Sequence, residues 1–569
     1  MDTTQSFKDR FAWPRPFAAL RGLDRAGWAA EMLAGITLAA LVIPLNIGYA
    51  DVAGLPPHVG LYAGIVPMIA YAIFATSRHV VASPDAAIAA LIGSLLGVLA
   101  VPGSDRYVEL ALALAIMCAA FFGLFWFFRL GFLANYLSRA VLVGLVAGLG
   151  IEVLFSQIRK MMGVTVEAEG FFREVVATIQ AIPEANWYSL GLGLASIAIV
   201  RLAKRFAPRV PGALLALVVL TAVVALFDLT AYGVKVLGEI PAGLPRLTIP
   251  QATFGEWMKL LPGALAIVAL TLSEGLLLAR RYAQRYGYRI DPDQEEFAYG
   301  VSNLAAGLTG GLVMGSSASR TAAMDDAGAR TQWPSIVSAA IITLVLLFFT
   351  EQLALLPTAV LAGIVANAVL KLIDVGEFRE LYRLRRSEFF IAAICTLTLL
   401  VLGTLLGLTI AFLLTTIEVV RRAANPKTSV LIARGEGQSY QPQPVADYAL
   451  TAPGILVYRF GGPLFFANAT VFQSDVETIL AAQDGKIEHF IFDAEAVNDI
   501  DTTGLEALEN VIALLRGRGV RFAVSRAYSP VPGLLAHYGL LEHIGPDNIF
   551  ETNRAAVAAA EQRGERAVG

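Results

Sequence analysis

The chain has 569 residues, of which 56% are hydrophobic and only 16% charged. That balance excludes a soluble globular protein of this length and puts most of the chain in lipid. The net charge of −3 points to no nucleic-acid partner, and the two cysteines and five histidines sit apart, so neither a disulfide nor a metal site is indicated.

Residues 1–30 carry Lys8, Arg10, Arg15, Arg21 and Arg25 without an apolar core and cleavage site, so they read as a basic cytoplasmic arm and not as a secretory signal. A bilayer span needs roughly 20 apolar residues. Hydropathy predicts spans near 33–53, 59–76, 84–101, 108–129, 132–156, 186–203 and 211–228. A second set falls near 258–279, 295–313, 318–328, 334–351, 353–373, 387–404 and 406–422. With about fourteen spans, the basic clusters at the N-terminus, Arg201/Lys204/Arg205/Arg209, Arg280/Arg281/Arg285/Arg289, Arg379/Arg383/Arg385/Arg386 and Arg421/Arg422 share one side. The positive-inside rule makes that side cytoplasmic, which predicts an inner-membrane protein with both termini inside.

After about residue 425 the apolar runs shorten. Residues 424–445 read as a linker, and 446–569 as a small cytoplasmic α/β domain. Its strands are expected at 455–460, 490–493 and 521–525, with a helix at 504–517.

Within the apolar sequence the informative residues are polar. Pro44 loosens the first span, where Asn46 and Tyr49 offer polar groups at mid-membrane depth or merely bond a neighbouring helix. Ser83-Pro84-Asp85-Ala86 reads as a helix start inside the membrane, with Ser83 as cap and Pro84 in the first turn. Ser316-Ser317-Ala318-Ser319-Arg320 reads as a second such start, in the corresponding place of the second half. Helix starts present unpaired N–H groups and partial positive charge, which suits an anion, and two of them in matching halves mark a transporter site. Arg320 adds a full positive charge and needs a bound anion, Asp85 or Glu274 nearby. Glu274, deep in the eighth span, is a candidate proton carrier, with a structural acid as the alternative. No nucleotide loop, metal cluster or nucleophile–base spacing is present, so neither an enzyme nor a cofactor is expected.

Several motifs in this order resemble the SulP-type anion transporters, the sulfate permease family. They are Gly54-Leu55-Pro56-Pro57 with Gly60-Leu61-Tyr62, Thr76-Ser77-Arg78-His79, Asp291-Pro292-Asp293-Gln294-Glu295 with Gly300-Val301-Ser302-Asn303, Ser317-Ala318-Ser319-Arg320, and Gly328-Ala329-Arg330-Thr331-Gln332. The resemblance implies two inverted seven-span repeats, near 30–235 and 245–423, forming a core and a gate domain. It implies an anion held at Pro84, Asp85, Ala86, Ala318 and Ser319 between the third and tenth spans. Tyr49 would line the site, Ser317 and Arg320 would contribute binding and positive potential, and Glu274 would be the acid of the eighth span. Three departures stand out: Leu45 replaces a frequent Gln, Asp85 stands where relatives often have a neutral residue, and Leu278 replaces a hydroxyl that helps hold sodium. Together they favour a proton over sodium as coupling ion and leave the anion open among sulfate, bicarbonate, chloride and dicarboxylates.

The tail resembles a STAS domain, through Leu464-Phe465-Phe466-Ala467-Asn468 and Asp499-Ile500-Asp501-Thr502-Thr503-Gly504-Leu505. In related antagonist proteins this second loop is phosphorylated, which makes Thr503, then Thr502, the corresponding hydroxyls. Helix capping by the same residues is the favoured reading. The resemblance also implies a homodimer and possible cytoplasmic protein partners of the STAS domain. An uncoupled anion channel or uniporter, or a STAS-based membrane sensor or scaffold, are the alternative functions.

Overall fold

The structure, a computed structural model, describes residues 14–23, 27–129, 138–166, 170–207, 210–434, 439–446, 448–483 and 485–568. Lys8, Arg10, Arg25, Arg209 and the beginning of the segment expected at 132–156 lie outside them. The described chain divides into two compact units, Met1–Thr415 and Thr416–Gly569.

The first half of the helical unit contains α1 (Trp28–Val52), α2 (Pro57–Ala63), α3 (Val66–Phe74), α4 (Ala86–Gly97), α5 (Asp105–Phe128), α6 (Arg139–Met162), α7 (Phe171–Gln180), α8 (Trp187–Phe206) and α9 (Gly212–Leu226). The second half contains α10 (Phe254–Tyr286), α11 (Pro292–Leu308), α12 (Ala318–Asp326), α13 (Trp333–Phe348), α14 (Thr350–Ala354), α15 (Thr358–Val369), α16 (Val375–Leu384), α17 (Arg386–Leu402) and the first part of α18 (Thr404–Ala424), a helix that the unit boundary at Thr415 divides. Among the described residues, five helical stretches, α1, α2 with α3, α5, α6 and α10, are long and apolar enough to cross a bilayer by themselves. The predicted spans each find a helix, and α7 and α16 are additional short helices that hydropathy does not pick out. Local chemistry sets many ends. Ser104, Ser138 and Asn186 cap α5, α6 and α8, and Thr253 with Glu256 forms a capping box on α10.

Packing sorts these helices into two groups. α11 packs most extensively on α5 and α3, and α1 on α13; α6 packs on α17 and α15, and α15 on α8. The first group corresponds to the core domain of the expected fold and the second to the gate.

The spans expected at 84–101 and 318–328 are realised by two of the short helices, α4 and α12. At 1.5 Å per residue α4 reaches about 18 Å and α12 about 13 Å, well short of a bilayer's hydrocarbon. Each is preceded by extended chain. β1 (Ala82–Ser83) and β2 (Gly315–Ser316) pair antiparallel, Ala82 with Ser316 and Ser83 with Gly315. The backbone groups that no helix satisfies at this depth are thus paired with each other, as lipid demands.

The second unit has one six-stranded sheet. Its strands are β3 (Lys427–Arg434), β4 (Ser439–Gln443), β5 (Ile455–Gly461), β6 (His489–Asp493), β7 (Arg521–Ser525) and β8 (Ile549–Phe550), in the order β4-β3-β5-β6-β7-β8. β5 to β8 run parallel, with α19 (Ala469–Ala482), α20 (Thr502–Gly517), α21 (Val531–His537), α22 (Leu540–Ile544) and α23 (Asn553–Val568) following the strands. The expected strands and the 504–517 helix are present. The expected linker is corrected: residues 424–445 contain β3 and β4, an antiparallel hairpin that joins the sheet through β5. Its exposed edge is polar, and for that reason hydropathy takes it for a connection.

Candidate anion-binding site

The β1–β2 ladder brings the starts of α4 and α12 together from opposite halves of the chain. Both crossing segments are held by side-chain amides. Gln332 Nε2 donates to the carbonyls of Ser77 and Val80 at 3.0 and 2.6 Å. Asn303 Nδ2 donates to Met314 O at 3.1 Å, and Asn303 Oδ1 accepts from Met314 N at 2.9 Å. Thr321 Oγ1 accepts from Val81 N at 3.0 Å, tying α12 to the strand before α4. A Cβ on Gly315 would lie 2.1 Å from Ile88 Cδ1 of α4, so any side chain there requires Ile88 to shift.

Asp85, not Ser83, caps α4; its Oδ1 accepts from Ala87 N at 2.8 Å. Ser83 belongs to β1, so Pro84 precedes the cap, and the expected Ser83 cap is corrected. The reason is geometric: strand pairing fixes Ser83 in the ladder and leaves the first acidic side chain nearest the free N–H groups. Ser83 has another task. Its hydroxyl accepts from Arg320 Nη1, and it donates to Asn46 Oδ1 at 3.3 Å.

Arg320 is fully buried. Besides Ser83, Nη1 donates to Pro84 O at 2.7 Å, and its Cζ lies 5.3 Å from the centre of the Tyr49 ring. The Nε and Nη2 atoms have no hydrogen-bond partner. No carboxylate forms an ion pair with this guanidinium among the described residues; Asp85 acts on it only through space. A buried guanidinium with unused donors is costly unless an acceptor occupies the space before it.

The remaining predicted residues surround this group. Tyr49, Pro84 and Ala86 are buried and Asp85 half-buried. Ser317, at the cap position of α12, is buried but makes no side-chain cap bond, whereas Ala318 and Ser319 are exposed. The start of α12 is therefore reachable from outside while its arginine is not. Glu274 lies in the middle of α10, partly buried and within electrostatic reach of Asp85. One turn earlier, the buried Thr271 Oγ1 has no hydrogen-bond partner and lies 3.6 Å from where a Cβ on Gly315 would sit. Thr502 and Thr503 belong to the other unit. Asp501 caps α20 through Gly504 N at 2.7 Å, and both threonines are exposed. The sequence places Asn303, Gln332 and Thr321 within recognisable motifs but assigns none of them this bracing role. The available signal was an amide or hydroxyl within apolar sequence, which lipid forces to find a partner.

Two opposed helix starts, a buried cation with open donors and a partly buried acid, on this helical scaffold with its α/β tail, define a polytopic membrane anion transporter. Residues 29–395 match the model of the sulfate permease family, and residues 449–556 match that of the STAS domain. The chain is 36% identical to a probable sulfate transporter of Mycobacterium tuberculosis, over 97% of this chain and 98% of the relative. It is 30% identical to low affinity sulfate transporter 3 of Stylosanthes hamata, over 96% and 89%. Among solved structures, the murine Solute Carrier 26 family member A9 anion transporter in the inward-facing state superposes with a TM-score of 0.88 at 22% identity, covering 99% of this chain and 96% of that one. The transmembrane domain of the cyanobacterial bicarbonate transporter BicA gives 0.58 at 23% identity, over 68% and 98%. The chain belongs to the sulfate permease family.

Proposed function

We propose that this protein is a secondary active transporter of a small anion, held between the starts of α4 and α12. Sulfate is the leading substrate, since the two relatives described above are named as sulfate transporters. One observation carries the reading: Arg320 is buried with Nε and Nη2 unpartnered beside two opposed helix starts. Tyr49, Pro84, Asp85, Ala86, Ser317, Ala318 and Ser319 form the rest of the cradle. Glu274, with Asp85 nearby, carries the coupling proton. Two carboxyl groups within reach of one anion cannot both stay charged when it binds, which links proton and anion uptake.

In this reading a core of α1–α5 and α10–α13 moves in an elevator manner against a gate of α6–α9 and α14–α18, within a homodimer in the inner membrane, both termini cytoplasmic. Repeats near 30–235 and 245–423 and the STAS domain are the working boundaries. Thr503 and Thr502 are exposed enough to be modified, but the Asp501 cap gives this loop a structural reason of its own.

Proteoliposomes with labelled sulfate test the proposal. An inward proton gradient should drive accumulation above equilibrium. Flux that only dissipates the sulfate gradient, whatever the pH difference, would make the protein a channel or uniporter.

A further inference from the structure

A cluster of arginines lies outside the anion site. A cavity of about 480 Å³ opens between the N-terminal arm, the connection from α3 to β1, the end of α5 and the connection from α10 to α11. Arg15, Arg78, Arg129 and Arg289 line it, against Asp291 and Asp293. The acids are largely engaged. Asp291 caps α11 through the amides of Asp293 and Gln294, and Asp293 pairs with Arg129 at 3.7 Å. Arg78 stacks over the Tyr288 ring at 5.7 Å. No carboxylate pairs with Arg15, Arg78 or Arg289 among the described residues. The frame is ordered: Gln294 exchanges hydrogen bonds with the Arg15 backbone at 3.2 and 2.9 Å, and Asp291 N donates to Thr76 Oγ1 at 3.1 Å.

The cavity's other wall is aromatic. Trp126 and Phe127, from the last turn of the membrane helix α5, line it, and Phe127 is exposed. Aromatic rings at the end of a membrane helix sit at headgroup level, and basic pockets between helix ends at that level recognise anionic headgroups.

We propose that this cavity binds the headgroup of an anionic phospholipid, its phosphate among Arg15, Arg78 and Arg289 and its acyl chains along Phe127. The cavity volume accommodates a phosphorylated headgroup, and its unpaired guanidinium groups supply the fork donors a phosphate takes best. Occupancy would fasten the N-terminal arm to the ends of α5 and α11.

The test uses the purified full chain in detergent, with native mass spectrometry reading retained lipid. Phosphatidylglycerol should be retained in preference to phosphatidylcholine, and inorganic phosphate should not displace it. Arg289→Gln, on an exposed connection, should lower retention about fivefold, and Arg15→Gln/Arg78→Gln/Arg289→Gln should lower it by that factor for each arginine. Arg201→Gln/Arg205→Gln, outside the cavity, should leave it unchanged. Equal retention by wild type and Arg289→Gln overturns the proposal, and so does an equal loss in the Arg201/Arg205 control. Full displacement by inorganic phosphate rejects the lipid in favour of a soluble anion. The single variant decides the matter should the triple variant not fold.

Discussion

Arg320 shows how burial turns a common residue into a specific one. Its Nη1 is used internally, on Ser83 and Pro84, which fixes the plane of the guanidinium and aims the other two nitrogens. Lysine keeps the charge but not the fork. Arg320→Ala should weaken sulfate binding by roughly 10- to 100-fold, the worth of charge-assisted hydrogen bonds, and Arg320→Lys should fall between. Isothermal titration of purified protein would check the order; equal affinity in all three would remove Arg320 from the site. Glu274 makes a separate claim. Glu274→Gln cannot exchange a proton, so proton-driven accumulation in proteoliposomes should vanish while sulfate–sulfate exchange persists. Pumping that survives with the same pH dependence would assign the proton elsewhere. Both residues stand out in the sequence because charge within an apolar span is expensive. The role of Ser83 was not legible, since its partners, Asn46 and Arg320, are distant in the chain.

At the level of elements, the informative pieces are the two half-length helices and the strands that lead into them. Their existence follows from Pro, Ser and Asp interrupting apolar runs. Their pairing does not, because a two-residue strand has no periodicity to read. The β3–β4 hairpin stayed hidden for a different reason: its edge is polar, and its partner β5 lies beyond a further polar stretch. The close packing of β2 on α4 leads to a direct expectation. Gly315→Val forces Ile88 to move and should cost about 1–3 kcal/mol, as overpacking does. Asn303→Ala instead strands the Met314 amide and carbonyl, at about 1–3 kcal/mol. Detergent-based thermal melts should show both variants less stable than wild type. An unchanged midpoint for Gly315→Val would mean that Ile88 shifts aside without cost.

For the whole molecule, the two-layer character of the helical unit matters most: core helices pack chiefly on core helices, gate helices on gate helices. The order of the spans and the change of character near residue 425 were readable from hydropathy and charge. The sorting into layers was not, because it joins α1 to α13 and α5 to α11 across the sequence. If the core travels as one body, fixing its two halves together should not stop transport. Ala82→Cys/Ser316→Cys joins register partners whose separation suits a disulfide. Oxidation of this variant should leave sulfate uptake unchanged, and reversible loss of uptake would show that the halves separate during the cycle.

The ladder between Ala82 and Ser316 also dictates an order of assembly. The start of α4 is synthesised long before its partner, and until β2 arrives its strand has no mate and Arg320 does not exist to fill the space beside it. A nascent chain stopped after the first repeat would therefore hold an unfinished half-site in the bilayer. Closing so long a loop comes late in folding, so the binding centre should be among the last parts of the helical unit to mature.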